Sequence, residues 1–65
     1  MQMIDTVEKL RVHLKLFKKQ ALRVGSDSLQ LYPMFCIYYD NNKEKYNLNK
    51  AQVLDLACEV LIEED

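Results

Sequence analysis

Residues 34–48, MFCIYYDNNKEKYNL, decide the fold that the sequence predicts. The run from residue 34 to residue 39 is rich in aromatic and branched side chains, which are enriched in β-strands. Pro33 lacks the N–H that a central strand needs, so the strand is expected to start after it. Asn41 and Asn42 tolerate the positive φ angles of a two-residue type I′ turn. We therefore predict an antiparallel hairpin with strands at about 34–39 and 44–48.

A helix is predicted before this hairpin, at about residues 5–24. Asp5 or Thr6 can cap its start, and Gly25 can supply the left-handed residue that ends many helices. The run from Arg11 to Leu16 also alternates between polar and apolar side chains, which is a strand pattern and makes a strand the alternative for residues 10–17. We prefer the helix because its period is sustained for longer. The apolar positions that recur at helical spacing are Val7, Leu10, Leu14, Phe17 and Ala21.

A second helix is predicted after the hairpin, at about residues 50–64. Asn49 can cap it, with Gln52 at the capping-box spacing. Its predicted buried stripe consists of Val53, Leu54, Ala57, Val60 and Leu61.

These elements predict one α+β domain over residues 1–65, a single-layer α-β-β-α unit with two helices packed on an antiparallel hairpin. A two-stranded hairpin is marginal in water, and a chain this short buries little surface. Hydrophobic residues nevertheless make up 49% of the sequence. We therefore expect a homodimer to complete the fold. Leu56 and Ile62 widen the apolar arc of the last helix and are the predicted dimer interface.

The sequence predicts neither an enzyme nor a metal or cofactor site. One glycine cannot build a phosphate-binding loop, and one histidine with two cysteines gives too few ligands for structural zinc. Cys36 and Cys58 lie in apolar segments and are expected to be free thiols of a reducing compartment, with a single disulfide as the alternative. A catalytic site could form only between chains, around Cys36 and His13.

No segment approaches the roughly 20 apolar residues that a membrane helix needs, and no targeting signal is evident. The expected location is the cytoplasm, without membrane association.

Charge is distributed unevenly along the chain. From Glu8 to Arg23 bases predominate, whereas the residues from Ala51 onward carry acids and no base. On a helical wheel, Val12 and Leu16 lie opposite the core stripe of the first helix, inside its basic face. Two apolar residues in such a setting are typical of a docking site. The predicted partner-binding residues are Val12, Lys15, Leu16, Lys19, Arg23 and Tyr38.

The function expected from these features is a small cytoplasmic protein-interaction module that acts as a homodimer, such as a regulator, an adaptor or an inhibitor. The alternative is a nucleic-acid-binding protein that uses the basic first helix. Against the alternative, the pI is about 5.7 and the sequence has no ribonucleoprotein or GXXG motif.

Overall fold

The protein is all-helical in the computed structural model, which describes the backbone of residues 3–63 and the side chains of residues 3–62. The helices are α1, Val7–Arg23; α2, Leu31–Asn41; and α3, Lys50–Cys58. No β-strand occurs within residues 3–63, so the predicted α+β hairpin fold is wrong. The predicted strand at 34–39 lies inside α2, and the one at 44–48 lies in the connection between α2 and α3.

Short turns of other helix types extend this framework. Single 3₁₀ turns occupy Ser28–Gln30 and Lys43–Lys45, and a π-helical turn, Glu59–Glu63, continues α3. An isolated parallel bridge joins Ile4 to Tyr46. It is the only β-type pairing in the described part of the chain.

Local side-chain chemistry fixes both ends of α1. The Thr6 hydroxyl accepts a hydrogen bond from the backbone N–H of Lys9, so Thr6 is the N-cap. Gly25 has a φ of 93° and follows the last turn. The N–H of Gly25 bonds to the carbonyl of Leu22, and that of Ser26 to the carbonyl of Ala21. These two bonds form a Schellman motif. Residues 10–17 lie inside α1, so they form a helix and not the alternative strand.

The α2 segment begins with signals that favour a helix. The carboxylate of Asp27 accepts a hydrogen bond from the Leu29 N–H at 3.0 Å and caps the 3₁₀ turn that leads into α2. Pro33 is the third residue of α2. A backbone N–H at this position has no acceptor within the helix, so a proline, which lacks the N–H, removes no helical hydrogen bond. Leu31, Phe35 and Tyr39 recur every four residues and are all buried. A four-residue burial period belongs to a helix and not to a strand.

The predicted hairpin turn is instead the end of α2. The side-chain amide of Asn42 donates to the carbonyl of Tyr38 at 2.9 Å and satisfies one of the last helical carbonyls. The 3₁₀ turn then leads to Tyr46, which is extended with φ −112° and ψ 120°. Asn42 therefore ends a helix at the position where the sequence predicted a change of strand direction.

The start of α3 agrees with the prediction, because the Asn49 side chain accepts from the Ala51 N–H at 3.0 Å. Leu54 is only half-buried, whereas Leu56 is buried.

The ammonium group of Lys18 donates to the carbonyl of Val60 at 3.3 Å. Carbonyls near the end of a helix lack partners within it, so this bond ties the π-helical turn to α1.

The three helices share one apolar core. Phe35 lies within it, and its ring is 5.6 Å from that of Phe17 and 6.2 Å from that of Tyr46. Val7, which belongs to the apolar stripe predicted for the first helix, is 47% exposed and lies outside this core. The buried residues are Leu10, Leu14, Ala21, Leu31, Phe35, Tyr39, Tyr46, Val53, Leu56, Ala57, Val60 and Leu61.

Candidate functional site

An apolar groove lies between α1, the segment that precedes α1 and the C-terminal half of α2. We call it the α1 groove. Its volume is about 540 Å³, and ligand pockets typically measure about 300–1,000 Å³. The lining residues are Met3, Ile4, Glu8, Lys9, Val12, His13, Leu16, Tyr38 and Lys45.

The bridge at Ile4 builds one wall of the α1 groove. The N–H of Ile4 donates to the Lys45 carbonyl, and the N–H of Asn47 donates to the Ile4 carbonyl, both at 2.8 Å. These bonds hold Met3 and Ile4 beside the connection between α2 and α3. The N-terminal segment is thereby fixed against the middle of the chain.

Val12 and Leu16 supply exposed apolar surface within the α1 groove. They lie one helical turn apart, and 59% and 53% of their respective surfaces are exposed. Side chains four residues apart on a helix are neighbours, so the two form a continuous patch. Met3 extends this patch from the N-terminal segment and is also exposed.

Tyr38 and Lys45 form the opposite side of the α1 groove. The Tyr38 ring lies 5.8 Å from those of Phe17 and His13. Its hydroxyl accepts a hydrogen bond from the Lys45 ammonium group at 3.3 Å. The same ammonium group lies 5.5 Å from the Tyr38 ring centroid, which adds a cation–π attraction. Lys45 therefore places a positive charge at a defined point beside apolar surface.

His13 connects the α1 groove to the core. Its Nε2 lies 2.8 Å from the hydroxyl of Tyr46, and its ring packs near those of Phe35 and Tyr38. Burial lowers the pKa of His13, and the positive charge of Lys45 lowers it further. Burial, followed by the Tyr38 and Tyr39 phenols, raises the pKa of Tyr46. The Tyr46 hydroxyl therefore stays protonated and can donate to the Nε2 of a neutral His13.

Basic groups outnumber acidic ones in the lining of the α1 groove. Lys9 and Lys45 contribute two positive charges against the one negative charge of Glu8. Lys9 also donates to the Asp5 carboxylate at 3.0 Å, on the exposed surface. Exposed ion pairs of this kind contribute about 0–1 kcal/mol, so Lys9 can exchange partners at little cost.

Three of the predicted partner-binding residues, Val12, Leu16 and Tyr38, meet in the α1 groove. The other three, Lys15, Lys19 and Arg23, are exposed on α1 but do not line it.

The two residues predicted for a dimer interface differ in exposure. Leu56 is buried in the core of its own chain, whereas Ile62 is largely exposed. Leu56 therefore has little apolar surface to offer a second copy.

Sequence patterns did not identify Met3, Ile4 and Lys45 as parts of one site. These residues meet through the pairing of Ile4 with Tyr46, which are 42 positions apart. Helical periodicity reports neighbours within about a turn and carries no information on such pairings. Local sequence did indicate Val12 and Leu16, because both lie among the basic residues of α1.

Other site types have little support in the described residues. Across residues 3–63 no group of three or more His, Cys, Asp or Glu side chains is arranged to hold a metal ion. Cys36 and Cys58 are free and half-buried. Among the described helices, none combines the length and the apolar character required to cross a membrane.

No protein-family model matches the chain, and comparison with curated proteins and with solved structures gives no match either. The chemistry of the α1 groove is therefore the basis for assigning a function.

Proposed function

We propose that this chain is a protein-interaction module whose α1 groove binds a partner segment with both apolar and acidic side chains. The observation that carries this proposal is the meeting of Val12, Leu16 and Tyr38, from two helices, in one groove beside Lys45. The module would act by binding alone, as a regulator, an adaptor or an inhibitor does.

Exposed apolar surface supports a protein partner. Single exposed aliphatic residues are ordinary, but contiguous patches in a concave setting mark interaction sites. Met3, Val12 and Leu16 form such a patch, with the half-buried Tyr38 across from it. A tyrosine adds a large ring and a polar tip with little conformational freedom to lose, which suits a binding contact.

The charges beside the patch favour an acidic partner. Lys45 is held against Tyr38, so a carboxylate that approaches the apolar patch would meet a fixed ammonium group. Lys9 lies on the α1 side of the same groove. Like charges brought to these lysines would repel, so the groove selects against basic segments.

An acidic group close to α1 weakens the nucleic-acid alternative. The Arg11 guanidinium lies 3.9 Å from the Glu59 carboxylate of the π-helical turn. Phosphate binding gains from the release of many counterions by a dense set of bases, and an acid beside these bases reduces that gain. The apolar lining of the α1 groove also suits side chains better than phosphates.

Selection from a random peptide library tests the proposal. Phage that display peptides of about twelve residues, enough for three helical turns, would be selected on the immobilised chain. We expect enriched sequences to combine leucine, isoleucine or phenylalanine with aspartate or glutamate. Failure to enrich any sequence, or enrichment of basic peptides, would contradict the proposal.

Leu16→Glu should weaken binding of the enriched peptides by roughly thirtyfold, because interface hot spots contribute about 2 kcal/mol or more. Leu22→Glu is the matched control. Leu22 lies on the same helix outside the groove and is 43% exposed. This variant should bind normally, and both variants should keep the wild-type circular dichroism spectrum. If the two lose affinity equally, the α1 groove is not the binding site.

The charge preference has its own test. Lys45→Glu should weaken the binding of acidic peptides by up to about fivefold, as expected for a partly exposed pair worth about 0.2–1 kcal/mol. Lys50→Glu, at the exposed start of α3, should not. A short DNA duplex at low salt should bind neither wild type nor variants. Salt-dependent DNA binding that Leu16→Glu leaves intact would favour the nucleic-acid function instead.

A further inference from the structure

The extended segment before α1 has a free backbone edge. The N–H of Ile4 donates to the Lys45 carbonyl, and the carbonyl of Ile4 accepts from the Asn47 N–H. Both backbone groups of Ile4 therefore point towards the connection between α2 and α3. Along an extended chain, successive residues direct their backbone groups to opposite edges. The backbone groups of Met3 and Asp5 consequently point away from that connection, and we call this side of residues 3–5 the free edge.

The free edge is accessible to a partner. The Met3 carbonyl and the Asp5 N–H flank Ile4 on this edge, and neither has a hydrogen-bond partner within the described part of the chain. Both residues are exposed. An unpaired edge of an extended segment is a template on which another extended chain can pair. One residue of such a chain would donate to the Met3 carbonyl and accept from the Asp5 N–H.

Met3 connects the free edge to the α1 groove, because it lines the groove together with Val12 and Leu16. Neighbouring strands lie about 4.8 Å apart. Side chains that face each other across two strands come within about 5 Å. A strand added at the free edge would therefore place a side chain beside Met3, over the apolar patch. Its next side chain on the same face would follow two residues later.

We infer that the partner segment of the α1 groove binds in an extended conformation, as a strand added to the free edge, with every second side chain facing the groove. This inference rests on the proposed function and specifies the conformation of the partner. In recognition by strand addition, main-chain hydrogen bonds supply affinity and pockets for alternate side chains supply specificity. The α1 groove and the free edge provide one of each.

The charges near the free edge are compatible with an acidic partner. The Asp5 carboxylate lies 3.0 Å from the Lys9 ammonium group, so the negative charge of Asp5 is offset. Lys45 lies beside the groove and is bonded to Tyr38. An extended segment with acidic and apolar side chains would thus meet net positive charge.

A helical partner would interact differently. Its backbone groups are bonded within the helix, so it would leave the Met3 carbonyl and the Asp5 N–H to water. It would also contact the groove through side chains three or four positions apart, whereas an added strand uses every second one. The two conformations therefore predict different responses to changes in the peptide and in the chain.

Peptides with single N-methyl groups test the inference on the wild-type chain. Each variant of a peptide enriched in the library selection would be measured by isothermal titration calorimetry. Methylation of the one nitrogen that donates to the Met3 carbonyl should weaken binding about tenfold, as expected for a lost backbone hydrogen bond. Methylation of the next nitrogen, which points to the opposite edge of the peptide, should change affinity less than twofold. Alanine replacements should weaken binding at every second position.

Asp5→Pro tests the free edge from the side of the chain, because proline lacks the N–H. Proline is tolerated at the edge of a sheet, and the Asp5 N–H has no partner to lose among the described residues. Asp5→Ala is the matched control, since it also loses the ion pair with Lys9 but keeps the N–H. Asp5→Pro should bind the peptide about fivefold more weakly than Asp5→Ala, with the same circular dichroism spectrum.

Two results would overturn this inference alone. One is equal peptide affinity of Asp5→Pro and Asp5→Ala, and the other is sensitivity to alanine at every third or fourth peptide position. If Leu16→Glu still weakens binding in either case, the proposed function stands and the partner is not an added strand. A chain that binds no peptide would overturn the proposed function and this inference together.

Discussion

His13 belongs both to the aromatic part of the core and to the wall of the α1 groove. Its ring packs near Phe35, and its Nε2 is within hydrogen-bonding distance of the Tyr46 hydroxyl. The charged groups near it are those of Lys45 and, along the α1 groove, Lys9 and Glu8. Burial and Lys45 both disfavour the imidazolium form. The fold therefore favours the neutral form of the one histidine in the sequence.

The lowered pKa of His13 makes stability depend on pH. An unfolded chain takes up a proton on His13 as the pH falls through 6.5, whereas the folded chain does so only at a lower pH. Between these two values the unfolded state binds more protons, so acidification destabilises the fold. We expect the melting temperature, measured by circular dichroism, to fall between about pH 7.5 and about pH 5.5.

His13→Gln supplies the control for this dependence, because glutamine can still hydrogen-bond to Tyr46 but does not titrate. Its melting temperature should vary less over the same interval. An unchanged slope in the variant would show that another group is responsible.

Individual helix ends are the features that the sequence predicted best. Thr6, Gly25 and Asn49 all have the roles expected from their side-chain chemistry. Each role depends on atoms within a few positions along the chain, so local sequence is sufficient to specify it. Leu56 illustrates the limit of such reasoning, because its burial depends on how α3 packs against the other helices.

At the level of elements, α2 is where prediction from sequence was wrong. Phe35, Ile37, Tyr38 and Tyr39 have strand propensity, and propensity is a weak determinant that tertiary packing overrides. The stronger signals were the four-residue spacing of the buried positions and the cap at Asp27. Strand and helix patterns are hard to distinguish in a short apolar run, and here packing against α1 and α3 selects the helix.

Asp27→Ala tests the cap of the 3₁₀ turn that leads into α2. Removing the carboxylate leaves the Leu29 N–H without its side-chain acceptor and should reduce the free energy of unfolding by about 1 kcal/mol. Asp27→Asn should cause little change, because asparagine caps helices equally well. Urea denaturation followed by circular dichroism measures both. Equal losses in the two variants would indicate that the charge of Asp27, and not its hydrogen bond, supports α2.

Across the whole molecule, the α1 groove is the place where exposed apolar residues and lysines meet. The proposed acidic partner follows from this combination. The sequence indicated three lining residues of the α1 groove, Val12, Leu16 and Tyr38. Met3, Ile4 and Lys45 come together there only when the chain has folded and Ile4 pairs with Tyr46.

Hydrogen exchange can detect the bridge at Ile4. The amide protons of Ile4 and Asn47 lie outside every helix, yet both are hydrogen-bonded at 2.8 Å. They should exchange with deuterated solvent more slowly than other non-helical amides, at a rate set by local opening of the N-terminal segment. A peptide in the α1 groove would contact this segment, so we expect it to slow the Ile4 exchange further. An Ile4 amide that exchanges as fast as an unprotected one would contradict the bridge. Two backbone protons thus report on whether the groove is occupied, without any label on the partner.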